Sequence, residues 1–368
     1  MKKGKRVAIC TTSDVSTDYR LYKMAVSVSR NGFKPYFITR GKKGAKNRSQ
    51  YFPVSVMNLL FEKGPLFYLE YNIRLFFKLL FSPPDVVFSV DLDTLPASRL
   101  FRFFVKRTLI FDSHEYFPEV PELQHRPVIK KIWQLLERLS VPGIDQGITV
   151  CEPIAAIYKE KYGKDFSVIR NVPLRTDEIP TATRKQPGDN FTLIYQGAVN
   201  IGRCLKESVE CLKYLDNVDL IIVGDGDVFE EIKELVKKND LSHRVLMTGR
   251  IPFDEIKKYT VQADLGLCIM ENIGLNYYYS LPNRIFDYMQ SRVPVLASNF
   301  PEIKKIVEGY DIGYCVSKQE PEYIAEVIDK IRADKKRLEQ WKVNSERASR
   351  ELVWENEEPR LKEILNQI

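Results

Sequence analysis

The 368-residue chain has little histidine, three residues in all, and its six cysteines (Cys10, Cys151, Cys204, Cys211, Cys268 and Cys315) form no CxxC pair. Together these scarcities argue against a zinc site. The cysteines are scattered, mostly in apolar runs, and read as reduced thiols of a cytoplasmic protein. No stretch reaches the ~20 uninterrupted apolar residues of a membrane span. The start, MKKGKRVAICTTSD, is basic, but its apolar run is only about four residues. A secretory leader needs roughly 7 to 15. Glycine is missing where a nicotinamide dinucleotide would need it: no GxGxxG follows RVAIC (6–10). No recognised nucleic-acid-reading module accompanies the basic residues, so nucleic acid is not the expected partner.

What is present is a globular balance, 44% hydrophobic and 29% charged. The length implies two domains. Charge is uneven. Residues 1–175 hold 29 Lys+Arg and 16 Asp+Glu, a net +13; the totals of 56 and 49 leave 27 − 33 = −6 for the rest. The first half therefore faces either plain solvent or something anionic, such as a membrane surface or a lipid phosphate.

Short apolar runs alternate with helical patterns. In the first half, strands are expected at 6–10, 35–39, 85–90, 108–112 and 146–150, with a helix at 18–31. Proline-bearing residues 173–190 read as a linker. Strands at 191–197, 218–226, 244–249, 263–270 and 293–298 follow, with helices at 203–215, 228–239, 253–261 and 281–291. The fold class is α/β: two tandem Rossmann-like, doubly wound parallel sheets facing a cleft. The expected boundaries are 1–172, 191–340 and a closing 341–368 that packs on the first domain. Residues 65–82 form a helix apolar nearly all round, with Glu70, Arg74 and Lys78 along one stripe. It fits first a core helix with one wet edge, and second a helix lying in a membrane interface.

Four segments carry chemistry. YQGAVNIGRCLKE puts Gly197 after a strand and Arg203 at the opening of a helix, a pattern suited to a diphosphate. LIIVGDGD ends a strand in Gly224, Asp225 and Gly226, where a ligand can approach backbone. TGRIP sets Arg250 and Ile251 at a strand end. In SLPNRIFDYM, Ser280 reads as an N-cap, and Asn283, Arg284 and Asp287 share the first turns of a helix. There an arginine suits phosphate, and a carboxylate suits a ribose diol. Asp287 paired to Arg284 in a plain salt bridge is the structural alternative. DLD (91–93) has the letters of a metal motif but reads as a solvated turn, and His114 alone reads as structural.

These pieces, with ADLGL and VPVLAS, resemble in order and spacing the nucleotide-binding half of GT-B glycosyltransferases, close to the retaining family 4 (group 1). FSVDLDTLPASRL, LIFDSHEYFPEVPEL and TVCEPIAAIYKEKYG resemble that family's first domain, and VWENEEPRLKEIL its helix crossing back onto that domain. The resemblance implies a hexosyltransferase-type enzyme that uses a UDP- or GDP-sugar and no metal or other cofactor. The acceptor would be a glycan or lipid-linked glycan in cell-surface polysaccharide synthesis, at or near the inner membrane face. By the same resemblance, Arg203 and Arg284 would hold the diphosphate, and Asp287 the ribose. Arg250 and Ile251 would border the base; Asn283, Tyr279 and Leu281 would face the diphosphate and sugar. His114, with Glu115 beside it, would lie near the transferred sugar. The sequence departs from the pattern at Tyr279, where the first acid of E-x7-E belongs, at Asp287 for glutamate, at Ala198 for an arginine and at Arg292 for a small residue. A GT-B sugar-nucleotide 2-epimerase and an inactive nucleotide-sugar binder are the alternatives.

Overall fold

The computed structural model describes residues 4–16, 18–41, 51–176 and 190–368. The chain divides into two compact units, Met1–Asn171 with Glu357–Ile368, and Val172–Asn356. The closing segment of the first unit thus begins at Glu357, not at 341. Residues 341–351 belong to the helix Lys335–Glu351, which packs on Asn283–Gln290 within the second unit and buries Trp341 and Ala348 there. Most of the expected linker, 177–189, lies outside the described residues.

The first unit is built on β1 (Arg6–Cys10), β2 (Lys34–Arg40), β3 (Val54–Met57), β4 (Val86–Val90), β5 (Thr108–Ser113), β6 (Gln146–Thr149) and β7 (Phe166–Val168). All pairings are parallel, in the order β3-β2-β1-β4-β5-β6-β7. Every residue of β4 is buried, as a strand covered on both faces requires. The second unit has β8 (Phe191–Gln196), β9 (Val218–Val223), β10 (Val245–Gly249), β11 (Leu265–Cys268), β12 (Val295–Ser298) and β13 (Gly313–Val316), again parallel, in the order β10-β9-β8-β11-β12-β13. Its core lies in two layers, one on each face of the sheet.

This winding creates one crevice per unit. Each chain turns outward one way from its first strand and later returns to the other side. The carboxyl ends of β1 and β4, and of β8 and β11, therefore flank a point where the connections diverge. Ligands of open parallel sheets bind at such a point.

All six cysteines are buried, none of them in a disulfide. Burial pushes the Cys10 thiol up, which makes it a packing group rather than a nucleophile. Arg292, where a small residue was expected, has φ 56°. That left-handed backbone costs a non-glycine residue about 1 kcal/mol. Its guanidinium pairs with Glu346 at 2.8 Å, a half-exposed contact that offsets part of that cost.

Candidate functional site

In the second unit, three loops meet at the carboxyl ends of β8, β9 and β10. Gly224 N–H donates to Gly249 O (3.1 Å) and Gly197 N–H to Val223 O (2.9 Å). Gly224 has φ 139°, and a Cβ there would stand 1.9 Å from Gly197 O; one on Gly226 would stand 2.4 Å from Val199 O. These glycines allow loop-on-loop packing on the side where a Cβ would stand. Asp225 is exposed and its carboxylate accepts from Gly226 N–H. Arg250 is exposed at the end of β10, while Ile251 packs against the core.

Arg203 does not open a helix. Cys204 is left-handed (φ 48°), and the helix beyond it, Leu205–Glu210, is only six residues long. The side chain still reaches the end of β11. Its guanidinium lies 4.5 Å from the Tyr277 ring centroid, Nη1 is 3.5 Å from Met270 Sδ, and Nε is buried without a partner.

The helix Asn283–Gln290 begins after Pro282, with no side-chain cap. Ser280 is not the cap expected of it; its hydroxyl donates to Tyr277 O at 2.8 Å and closes the preceding turn. Asn283 is exposed at the first helical position; Tyr279 and Leu281 are half-buried in the loop before it. One turn further on, Tyr288 anchors the helix. Its hydroxyl lies 3.1 Å from Ile194 O and 3.2 Å from Leu267 O, bridging β8 and β11, and Gly266 leaves room for its ring.

That anchoring decides where Arg284 goes. It is 7% exposed, its guanidinium sits 4.4 Å from the Tyr195 ring centroid, and Nη1 has no hydrogen-bond partner. A Cβ on Gly197 would meet Arg284 Nη2 at 3.8 Å. The salt bridge to Asp287 is therefore not the use made of this arginine. Asp287 instead accepts from Gln196 Nε2 at 2.9 Å, and Gln196 Oε1 accepts from the Thr260 hydroxyl at 2.7 Å. The relay holds the Asp287 carboxylate at the carboxyl end of β8. Burial raises the Cys268 thiol at the end of β11, against the opposing charges of Arg284 and Arg203. Two cations carrying unpartnered nitrogens at one switch point suit a polyanion.

The first unit carries a second polar cluster at its own switch point. Asp112, in β5, is buried; it pairs with Arg20 at 2.9 Å and with His114 Nε2 at 2.8 Å. Asp91 is left-handed (φ 57°), and its Oδ1 accepts from His114 N–H at 2.9 Å. Asp93 is buried; Oδ2 accepts from the Thr12 hydroxyl, and Oδ1 has no partner. DLD is therefore no solvated turn. Glu115 is exposed.

Burial opposes charge on His114, but Asp112 and Asp91 outweigh it and lift the imidazole to about 9. Burial raises Asp91 to about 7 despite His114, and Asp93 to about 6 despite the Thr12 hydroxyl and Arg40. Burial would raise Asp112 too, but Arg20 and His114 hold it well below the usual range. The three raised groups bind protons more tightly folded than unfolded. Their contribution to stability is complete below the unfolded values and is lost as pH rises through 6, 7 and then 9. The melting temperature in calorimetry should fall between pH 5.5 and 9.5, by roughly 5 °C from this cluster. Asp91→Asn, which keeps the acceptor for His114 N–H, should flatten the part near 7. An unaltered profile in that variant would remove Asp91 from the account.

The family model described as glycosyl transferases group 1 matches residues 181–348. Residues 181–348 are thus similar to the group 1 glycosyl transferases. Arg203, Arg284 and Asp287 all lie within that segment. The amylovoran biosynthesis glycosyltransferase AmsK of Erwinia amylovora is 24% identical over 201 residues, 54% of this chain and 45% of that protein. The chain thus spans under half the length of this curated relative. Among solved structures, sucrose-phosphate synthase from Thermosynechococcus elongatus superposes with a TM-score of 0.81 at 16% identity, covering 99% of this chain and 98% of that one. Anabaena HepE in complex with UDP-glucose gives 0.75 at 15% identity over 99% and 100%. The matched segment thus sits in a chain whose fold is the two-domain GT-B fold of these solved structures.

Of the site residues read from sequence, the fold brings together Gly197, Arg284 and, through Gln196, Asp287, while Arg203 lies against Tyr277 and Met270. The fold leaves Asp225, Arg250, Asn283 and Glu115 exposed. Missed were Tyr195, Gln196 and Thr260, which orient the two charged groups, and Arg20, which holds Asp112. For Asp112 a signal existed: in D-S-H the two polar residues alternate along one strand and share a face.

Proposed function

We propose that the protein transfers a hexose from a UDP- or GDP-sugar to a glycan or lipid-linked glycan acceptor, with retention of anomeric configuration, in cell-surface polysaccharide synthesis. The observation that carries this reading is Arg284. A buried cation with an unpartnered nitrogen, facing Gly197 at a switch point, is complementary to a diphosphate. Breaking the anomeric C–O bond puts negative charge on that leaving group. Arg203 and Arg284 stabilise it as it develops, without a metal ion. Asp287, held by Gln196, takes the ribose hydroxyls. In the first unit, His114 contacts the transferred sugar. The name of the Erwinia relative and the UDP-glucose in the Anabaena complex support the glycan and the nucleotide sugar, respectively.

The test is calorimetric titration with a panel of nucleoside diphosphate sugars, followed by product analysis with the one that binds. A donor should raise the melting temperature by mass action. If none binds, the reading is wrong. Asp287→Ala should weaken the binding of UDP-glucose, or whichever donor binds, by roughly tenfold or more, with little loss of stability. A 2′-deoxyribose analogue should lose less affinity on that substitution than the ribose form. Equal losses would detach Asp287 from the ribose.

A further inference from the structure

We infer that one outer face of the first unit docks onto an anionic lipid bilayer. Three helices lie side by side there, Gly64–Phe81, Leu95–Val105 and Pro127–Ser140. The first splits its apolar residues into two stripes. Phe67, Tyr71, Leu75 and Leu79 are buried, whereas Leu66, Leu69, Ile73, Phe77 and Phe81 are exposed at helical spacing. On the second, Phe103 and Phe104 are 66% and 62% exposed, and the Phe104 ring lies 6.0 Å from that of Phe76 on the first helix. The third repeats the pattern with Val128, Ile132, Leu135 and Leu139, all exposed four, three and four residues apart. One stripe of the 65–82 helix is thus core and another is uncovered.

The uncovered apolar surface is held in place. Leu60 is 80% exposed and Phe61 is also exposed, yet the Glu70 carboxylate accepts from the backbone N–H of both (2.9 and 3.0 Å). Arg74 neutralises that carboxylate at 2.8 Å. Two exposed apolar side chains are thereby fixed beside the stripe. An apolar surface of this extent marks an interaction site.

Charge selects the occupant. Residues 95–107 and 126–140 carry eight Lys+Arg and one acid, Glu137, which is buried. Lys106 stands two residues beyond Phe104; Lys131 and Arg138, two turns apart, border the third stripe. All three are exposed, and among the described residues none has an ion-pair partner. A two-fold contact with a second copy would set these cations against themselves. Lipid phosphates meet them with opposite charge while the apolar stripes enter the acyl boundary. Beside the first helix, a groove with Met57, Ile73 and Phe77 at its wall and Arg74 and Lys78 at its rim has the same complementarity. No described helix is long and apolar enough to cross a membrane, so the contact is with the surface.

The test is co-sedimentation of the full chain with sucrose-loaded vesicles, either phosphatidylglycerol–phosphatidylcholine or phosphatidylcholine alone. Binding should favour the anionic vesicles by roughly tenfold or more and fall as salt rises. Lys106→Glu with Lys131→Glu should abolish the preference. Phe77→Ser with Phe103→Ser should abolish binding to both, with the melting temperature unchanged because the positions are exposed. Absence of binding, or equal binding to both vesicles, overturns the inference. So does a dimer in analytical ultracentrifugation that the serine variant dissociates. Nucleotide-sugar titration of the same variants should be unaffected, so failure of the donor reading and failure of this one are separate results.

Discussion

Arg284→Met is expected to weaken binding of a nucleoside diphosphate sugar about a hundredfold while leaving the free protein as stable as before, or more so. A guanidinium with one nitrogen unpartnered inside the protein has lost its hydration and recovered only part of it from the Tyr195 ring. Methionine fills a similar volume without that cost, as buried ionic groups replaced by apolar ones often demonstrate. A diphosphate restores the missing partner, and such charged hydrogen bonds are worth roughly 2–4 kcal/mol when desolvated.

The measurement is paired: calorimetric binding of UDP-sugar, UDP and uridine, or the corresponding guanosine series, and scanning calorimetry of the free protein. The loss should be large for both diphosphates and small for the nucleoside. Arg284→Lys should recover only part of it, because a point charge cannot reproduce the planar fork. A collapse of the melting temperature in Arg284→Met would make the residue structural. Unchanged diphosphate affinity would end its role in the donor site.

Sequence periodicity located the central strands of both sheets because each is a short, continuously apolar run, such as RVAIC or VVFSV. It missed β3, β7 and β13, which have four, three and four residues, too few to show a period. The start of the 283–290 helix was misplaced by two residues. The proline at 282 held the clue, since the residue before a proline disfavours helical backbone and Leu281 could not belong to the helix. The Arg284–Asp287 pair misled for a different reason. Spacing of three places two side chains on neighbouring faces, but only the fold decides which of them is turned inward. Once Tyr288 is pinned between β8 and β11, Arg284 is carried under Gly197 and Asp287 towards Gln196. The single-residue letters were legible; the partners, Tyr195, Gln196 and Thr260, are set by long-range pairing that no local pattern encodes. The same holds for Arg20, 92 residues from the carboxylate it neutralises.

Arg20→Met is expected to be the most destabilising single change in the first unit, costing about 3–5 kcal/mol. Arg20 Nη2 lies 2.9 Å from Asp112 Oδ1, with side chains 2% and 1% exposed, and Arg20 Nη1 donates to Ile169 O at 3.0 Å. Removing the cation leaves a buried carboxylate with His114 as its remaining charged partner. The ionised carboxylate then leans on His114 alone, at a cost in stability. Asp112→Asn in the Arg20→Met background should therefore regain much of the loss, giving a coupling of more than about 1 kcal/mol in the double-mutant cycle. The cycle has a second readout at His114. With Asp112 neutral, the imidazole loses its strongest opposing charge, and its titration, followed by its ring-proton NMR signals, should move down from about 9 towards its ordinary value. Arg20→Met alone should move it up, because the arginine's repulsion is gone. Shifts of opposite sign in the two single variants identify Arg20 and Asp112 as the groups that set the charge of His114. Shifts of the same sign, or none, would leave the pair with a purely structural role.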